Sequence, residues 1–168
     1  AEVLVKNGYH VLAYNVPAHG KSTLEKTNML DVSEILGEVL NLYSSDGKLS
    51  VITHSFGSGA VSFALKQSQV TIDKLIMVTS PDKLYDIFKN FSDYIGLSEK
   101  AFASMLKITE NRFNEKFENL QISKALQSAK YSKALLIHDY NDKVLPFSNT
   151  SNIHATNKNT ELYVTENK

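Results

Sequence analysis

Two runs of consecutive apolar residues, Leu75-Ile76-Met77-Val78 and Ala134-Leu135-Leu136-Ile137, set the tightest limit on what this chain can become. A strand with one wet face alternates apolar and polar side chains, whereas a strand apolar at every position is covered on both faces. Strands of that kind belong to parallel sheets, whose connections must cross from one end of the sheet to the other, usually through a helix. Five β-rich segments recur along the chain: Tyr9 to Val16, Leu49 to Thr53, Lys74 to Ser80, Lys133 to Asp139 and Thr160 to Glu166. Between the first two, Val32, Ile35, Leu36, Val39, Leu40 and Tyr43 return at helical spacing, with Asn28 as N-cap and Gly47 beyond the end. Gly57 to Gln67 supplies a second crossover helix, so strand and helix alternate as in a doubly wound α/β domain. Ala1 to Asn7 reads as the last turns of an amphipathic helix stopped by Gly8.

A serine stands at the corner between the second strand and the second helix, in Thr53-His54-Ser55-Phe56-Gly57. Two readings fit this stretch. Ser55 is a good helix N-cap, and Gly57 and Gly59 are ordinary loop residues. It also fits a nucleophile elbow, in which small residues two before and two after the serine allow a tight, strained turn. That turn lifts the hydroxyl above the carboxyl edge of the sheet and aims the next backbone N–H, that of Phe56, at a developing oxyanion. Thr53 and Gly57 hold the two small positions, and Thr53 is the bulkier choice. Ligands in doubly wound folds bind at the carboxyl ends of the strands, where Ser55 lies.

The alternation breaks between Tyr85 and Lys130, which carry a helical, aromatic-rich pattern with Ser98 as an N-cap dividing it. Its aromatics either pack on one another or roof a pocket over Ser55. Further on, the strand ending at Asp139 runs into a polar turn with Asp142, followed by Val144 and Pro146. Asp142 is either a turn residue bonding its own backbone or an acid displayed at the strand's carboxyl end. His138, Asp139 and Asp142 could also suggest a metal site, but neighbouring strand residues point to opposite faces, which argues against convergence. Ser148 to Asn159 is polar and reads as a weak helix at best.

Composition narrows the chemistry. The 168 residues are 42% apolar, enough to bury a core and too many for a disordered chain. Eighteen basic and 18 acidic side chains cancel without forming a basic patch, so nothing points to nucleic acid or an anionic membrane, and a small neutral substrate fits better. No apolar run approaches the roughly 20 residues of a membrane span. Cysteine is absent, which removes disulfides, thiol nucleophiles and thiolate metal sites while fitting any compartment; we read the chain as cytoplasmic.

Taken jointly, four segments resemble the α/β-hydrolase superfamily, in particular bacterial serine esterases and lysophospholipase-like hydrolases. They are Val11 to Ser22 with Pro17, His19 and Gly20, the Ser55 elbow, the strand Leu75 to Pro81, and Leu135 to Pro146 with His138 and Asp142. Asn15 and Asp139 depart from the family's usual aspartate and glycine. The resemblance implies a mostly parallel sheet with core segments over 1–84 and 132–168 and a helical cap over 85–131. It implies a Ser-Asp-His triad with Ser55 as nucleophile and Asp142 as acid, Phe56 N–H in the oxyanion hole, no cofactor, and a small or lipid-like ester as substrate.

His10, His19, His54, His138 and His154 all stand outside the family's position for the base, which follows the last strand. The resemblance therefore places a glycine and the catalytic histidine shortly after Lys168. It likewise places the second oxyanion donor, and a strand between those holding Tyr14 and Ile52, before Ala1. The 168 residues alone are expected to be poorly folded and inactive. Amide and thioester hydrolysis use the same machinery, and a non-catalytic ligand-binding protein of this fold is the reading from a different class.

Overall fold

The computed structural model describes residues 1–44, 49–68 and 70–167. Its elements in chain order are α1 (Glu2–Lys6), α2 (Met29–Tyr43), β1 (Ser50–His54), α3 (Phe56–Gln67), β2 (Thr71–Val78), α4 (Leu84–Tyr94), α5 (Glu99–Phe113), a 3-10 turn (Phe117–Asn119), α6 (Ile122–Ser128), β3 (Lys130–Asp139), α7 (Ser148–Thr156) and β4 (Thr160–Thr165). Four of the five β-rich segments form one sheet in the order β1-β2-β3-β4, every pair parallel. The register sets Ile52 beside Ile76 and Ile76 beside Leu135, which brings the carboxyl ends of β1, β2 and β3 to one edge.

Local chemistry starts the helices where the sequence suggests. The Asn28 side chain accepts from the N–H groups of Leu30 and Asp31 at 2.9 and 3.2 Å, satisfying two donors that the first turn of α2 leaves without carbonyls. Ser98 does the same for α5 by accepting from Ala101 N–H. Gly47, expected past the end of α2, lies outside the described residues.

Strand alternation sorts the sheet into two faces. Leu75, Met77 and Leu136 turn toward α3, α6 and α7 and form the main core with Val61, Leu65 and Ile153. Each such side chain contributes about 1.5–3 kcal/mol by leaving water. Gly59 makes the contact between α2 and α3 close, since a Cβ there would come within 2.7 Å of Met29 Cε. A second core of Phe63, Leu84, Phe117, Leu120 and Ala125 forms where the helices of residues 84–128 meet α3. Edge-to-face ring pairs join Phe63 to Phe113 and Phe88 to Phe117, so most aromatics of this region pack on one another.

The second face of β2 and β3, expected to be covered, is only half-buried at Ile76, Val78, Leu135 and Ile137. Two segments also differ from the sequence expectation. Residues 9–16 form no strand, and Tyr9, Val11, Leu12 and Tyr14 are exposed. A strand persists where a neighbouring edge takes up its N–H and C=O groups, and no described strand pairs with this segment, so its β propensity goes unused. Residues 148–156, read as weakly helical, form the regular helix α7, because Thr150 and Ile153 sit one turn apart on a buried face that the polar composition conceals.

Candidate active site

β1 ends at His54, and the chain reverses into α3 through Ser55, whose φ of 49° and ψ of −114° lie outside the regions ordinary L-residues occupy. Strain of this kind costs about 1–3 kcal/mol and persists only where the surroundings impose it. The surroundings are visible: Ser55 N–H donates to the Val78 carbonyl at 2.9 Å, and Ser58 N–H donates to the Ser55 carbonyl at 2.9 Å. The turn brings positions 53 and 57 together, so that a Cβ on Gly57 would lie 3.6 Å from Thr53 Cβ. Ser55 makes no side-chain cap for α3, which removes the plain N-cap reading. Phe56 is the first residue of α3, and its N–H has no intrahelical carbonyl to bond. Thr79, at the end of the neighbouring strand β2, also has a positive φ, 48°.

Beneath the turn runs a chain of buried hydroxyls. Ser80 Oγ donates to Ser58 Oγ at 2.9 Å, Ser58 and Thr53 hydroxyls are 3.0 Å apart, and Thr53 Oγ1 donates to the Ile76 carbonyl at 3.3 Å. Ser58 and Ser80 are fully buried, so each needs the partners it has.

Asp142 stands in the turn after β3, at the same edge of the sheet as Ser55. Its Oδ1 accepts from the N–H groups of Val144 and Leu145 at 2.8 and 2.9 Å, and its Oδ2 lies 3.7 Å from His138 Nε2. The Leu145 N–H is the main cause holding this carboxyl below its usual range; partial burial opposes it, and the Val144 N–H and His138 add to the lowering. Asp139, next to His138 in the strand, is occupied elsewhere: its Oδ1 accepts from Asn141 N–H and its Oδ2 from the Thr165 hydroxyl. Asp139 therefore does not join Asp142 at the His138 ring.

The structure sets Ser55 and Asp142 at the ends of strands separated by β2, and it commits His138 and His154 to other partners. His138 is 1% exposed, with Nδ1 2.5 Å from Thr150 Oγ1 and Nε2 3.0 Å from the Leu145 carbonyl oxygen. Thr150 in turn donates to the Ser80 carbonyl at 3.1 Å. His154 bonds Thr160 and His19 bonds the Pro17 carbonyl. Sequence reasoning missed the tie between His138 and Asp142, although their i, i+4 spacing across a strand end was in view. It also missed Ser58 and Ser80, which lie beside or inside motif segments without being part of their signal, and Thr150, which has no motif around it.

The helical segment leaves the sheet just after Ser80 and returns through α6, pinched at its base. Lys83 pairs with Gln121 in an antiparallel bridge, Leu84 N–H donates to the Leu120 carbonyl, and Ile122 N–H donates to the Asp82 carbonyl. The Asp82 carboxylate is buried and accepts from Ser123 N–H at 2.8 Å and from the Asn152 amide. Farther out, Arg112 pairs with Asp31 and Lys66 with Glu115, tying the segment to α2 and α3.

A model of the alpha/beta hydrolase fold matches residues 1–124. The chain belongs to that family. This α/β-hydrolase is similar in structure to an esterase of Pyrococcus furiosus, with a TM-score of 0.65 and 24% identity, over 98% of this chain and 63% of the esterase. A carboxylesterase of Nitrososphaera gargenis matches with a TM-score of 0.62 and 20% identity over 99% of this chain and 75% of its own. A bromoperoxidase of Bacillus anthracis matches with a TM-score of 0.70 and 16% identity over 98% of this chain and 76% of its own. At these identities the likeness is one of fold. No curated protein matches the chain. Among the described residues no helix is long and apolar enough to cross a membrane.

Proposed function

We propose that this α/β-hydrolase is a serine hydrolase that cleaves small or lipid-like carboxylic esters through an acyl-enzyme. Ser55 attacks the acyl carbonyl, and Phe56 N–H holds the oxyanion that forms. A histidine that the family resemblance places after β4 accepts the serine proton, and Asp142 orients it. Water then releases the acid. The observation that carries this reading is the strained backbone of Ser55, at φ 49°, held by the bond to Val78 at the carboxyl edge of the sheet. Asp142 at the same edge, with its carboxyl held below the usual range, supports the role of acid. Residues 85–131 serve as a cap over Ser55, a role supported by their departure from the sheet just beyond β2 and by the exposed Phe91, Tyr94 and Ile108.

A fluorophosphonate probe on the full-length protein tests the proposal. Labelling that disappears in Ser55→Ala supports it, and a folded protein that resists the probe makes the fold a ligand-binding scaffold instead. Ester, amide and thioester substrates compared on the labelled enzyme then fix the class.

A further inference from the structure

His138 carries more than packing. Its ring is buried between strand β3, helix α7 and the acid turn, and both nitrogens have a polar partner. The partner of Nε2 is the Leu145 carbonyl, which can only accept, so Nε2 bears a proton. The partner of Nδ1 is the Thr150 hydroxyl, which has one proton and two acceptors in reach, Nδ1 at 2.5 Å and the Ser80 carbonyl at 3.1 Å. With that proton on the Ser80 carbonyl, Thr150 meets Nδ1 with a lone pair, and Nδ1 bears a proton as well. Two N–H donors on one imidazole make a cation. The neutral ring is reached only if Thr150 turns its proton toward Nδ1 and gives up its bond to the carbonyl of the fully buried Ser80.

We propose that His138 is a positioning residue held as an imidazolium by Thr150 and the Leu145 carbonyl, and that its charge fixes the Asp142 carboxylate in place. The charged and titratable groups around the ring agree with this. Asp142 is the counter-ion, with Oδ2 3.7 Å from Nε2. Asp139 is turned to Asn141 and Thr165. From α7 comes Thr150, the Phe147 ring just before that helix stands T-shaped to the imidazole, and His154 one turn on is bonded to Thr160. Asp82 is held by Ser123 and Asn152. On the flanking strands, the register sets Val164 of β4 opposite His138, and β2 ends at Val78 beside Ile137. The Asp142 oxygens then divide their work: Oδ1 is tied to two backbone N–H groups, and Oδ2 faces the cation while keeping a lone pair for an incoming base.

The same ring reaches the serine side. Ser80 receives Thr150 on its carbonyl and donates through its hydroxyl to Ser58, which meets Thr53 under the Ser55 turn. Acid loop and serine turn thus share one hydrogen-bonded frame, with His138 at its far end.

The charge stands by itself; the positioning role rests on the serine-hydrolase reading. The test takes the nitrogen-15-labelled full-length protein at neutral pH, follows ring N–H signals and the Asp142 carboxyl carbon by NMR, and measures p-nitrophenyl butyrate hydrolysis in parallel. Two ring N–H signals, both lost in H138Q, are expected. In H138Q the Asp142 carboxyl should titrate at higher pH, and kcat should fall about tenfold or more with little change in KM. T150V, nearly the same size, should remove the Nδ1 proton and shift Asp142 in the same direction, and it serves where H138Q fails to fold. A single ring proton in the wild type, or an Asp142 titration unmoved in both folded variants, overturns the proposal. A wild-type protein that hydrolyses no ester and resists fluorophosphonate sinks the enzymatic reading alone, and the NMR results still decide the charge.

Discussion

Thr53 Oγ1 lies 3.0 Å from Ser58 Oγ across the turn that carries Ser55, and the contact explains a residue that looks too large for its place. Ser80 already donates to Ser58, so Ser58 must hand its own proton on, and Thr53 receives it while donating to the Ile76 carbonyl. Glycine at this position would relax the turn and leave the buried Ser58 proton without an acceptor.

Thr53→Val keeps the shape and removes the hydroxyl. It should destabilise the protein by about 1–3 kcal/mol, the usual cost of orphaning a buried polar group, while Thr53→Ser stays close to wild type. Urea denaturation midpoints of the three proteins check this, and a Val variant as stable as wild type would mean that the hydroxyl chain carries no weight.

Ser55→Gly should be more stable than Ser55→Ala by about 1 kcal/mol. Both lose the hydroxyl, but only glycine adopts a φ of 49° and ψ of −114° without a Cβ penalty. Thermal melts of the pair read the strain directly, since neither retains the hydroxyl.

Asp142 ties stability to pH. Its folded carboxyl is held below the ordinary value of 3.8, chiefly by the Leu145 N–H, so the folded state binds this proton less readily than the unfolded chain does. Its stabilising contribution is complete above the unfolded value and disappears as pH falls through the folded one. The stability gap between wild type and Asp142→Asn should therefore be constant near neutrality and shrink as pH falls below about 4. A gap that is independent of pH down to full protonation would count against an ionised, bonded Asp142.

Asp82→Ala should cost about 1–3 kcal/mol, because Ser123 N–H at the start of α6 and the Asn152 amide on α7 both lose their acceptor inside the protein. Asp82→Asn, which keeps one acceptor oxygen, should lose less. Hydrogen exchange resolves the site: the amides of Ile122 and Ser123 should lose protection before those of β3.

What could be read in the sequence was whatever is local in the chain. The β2 and β3 runs, the Asn28 and Ser98 caps and the Ser55 turn are each decided by residues within a few positions of one another. The expected strand over residues 9–16 shows the limit, since pairing depends on an edge elsewhere that propensity cannot report. Thr53 stayed unexplained because its acceptor, Ile76, lies 23 positions away in sequence. α7 looked weak because its polarity was counted as solvent-facing, when Thr150 points inward to bond His138 and the Ser80 carbonyl. His138 reads from the sequence as a strand-end residue, a discarded metal ligand and a mark of the acid loop, but its tie to Asp142 is hidden, as the short turn that folds Asp142 back over its ring leaves no mark in hydrophobic pattern.

The pinched base of the helical segment has a bearing on how such a protein can diversify. Lys83 meets Gln121 and Leu84 meets Leu120, so the ends of everything between them are already closed on each other. Changes confined to the outer helices can leave the spacing of β2 and β3 and the Thr150–Ser80 bond in place, so long as Phe63 of α3 keeps a buried partner. Descendants of one ancestral chain could swap the outer helices for entirely different ones, and inherit the strained serine unchanged.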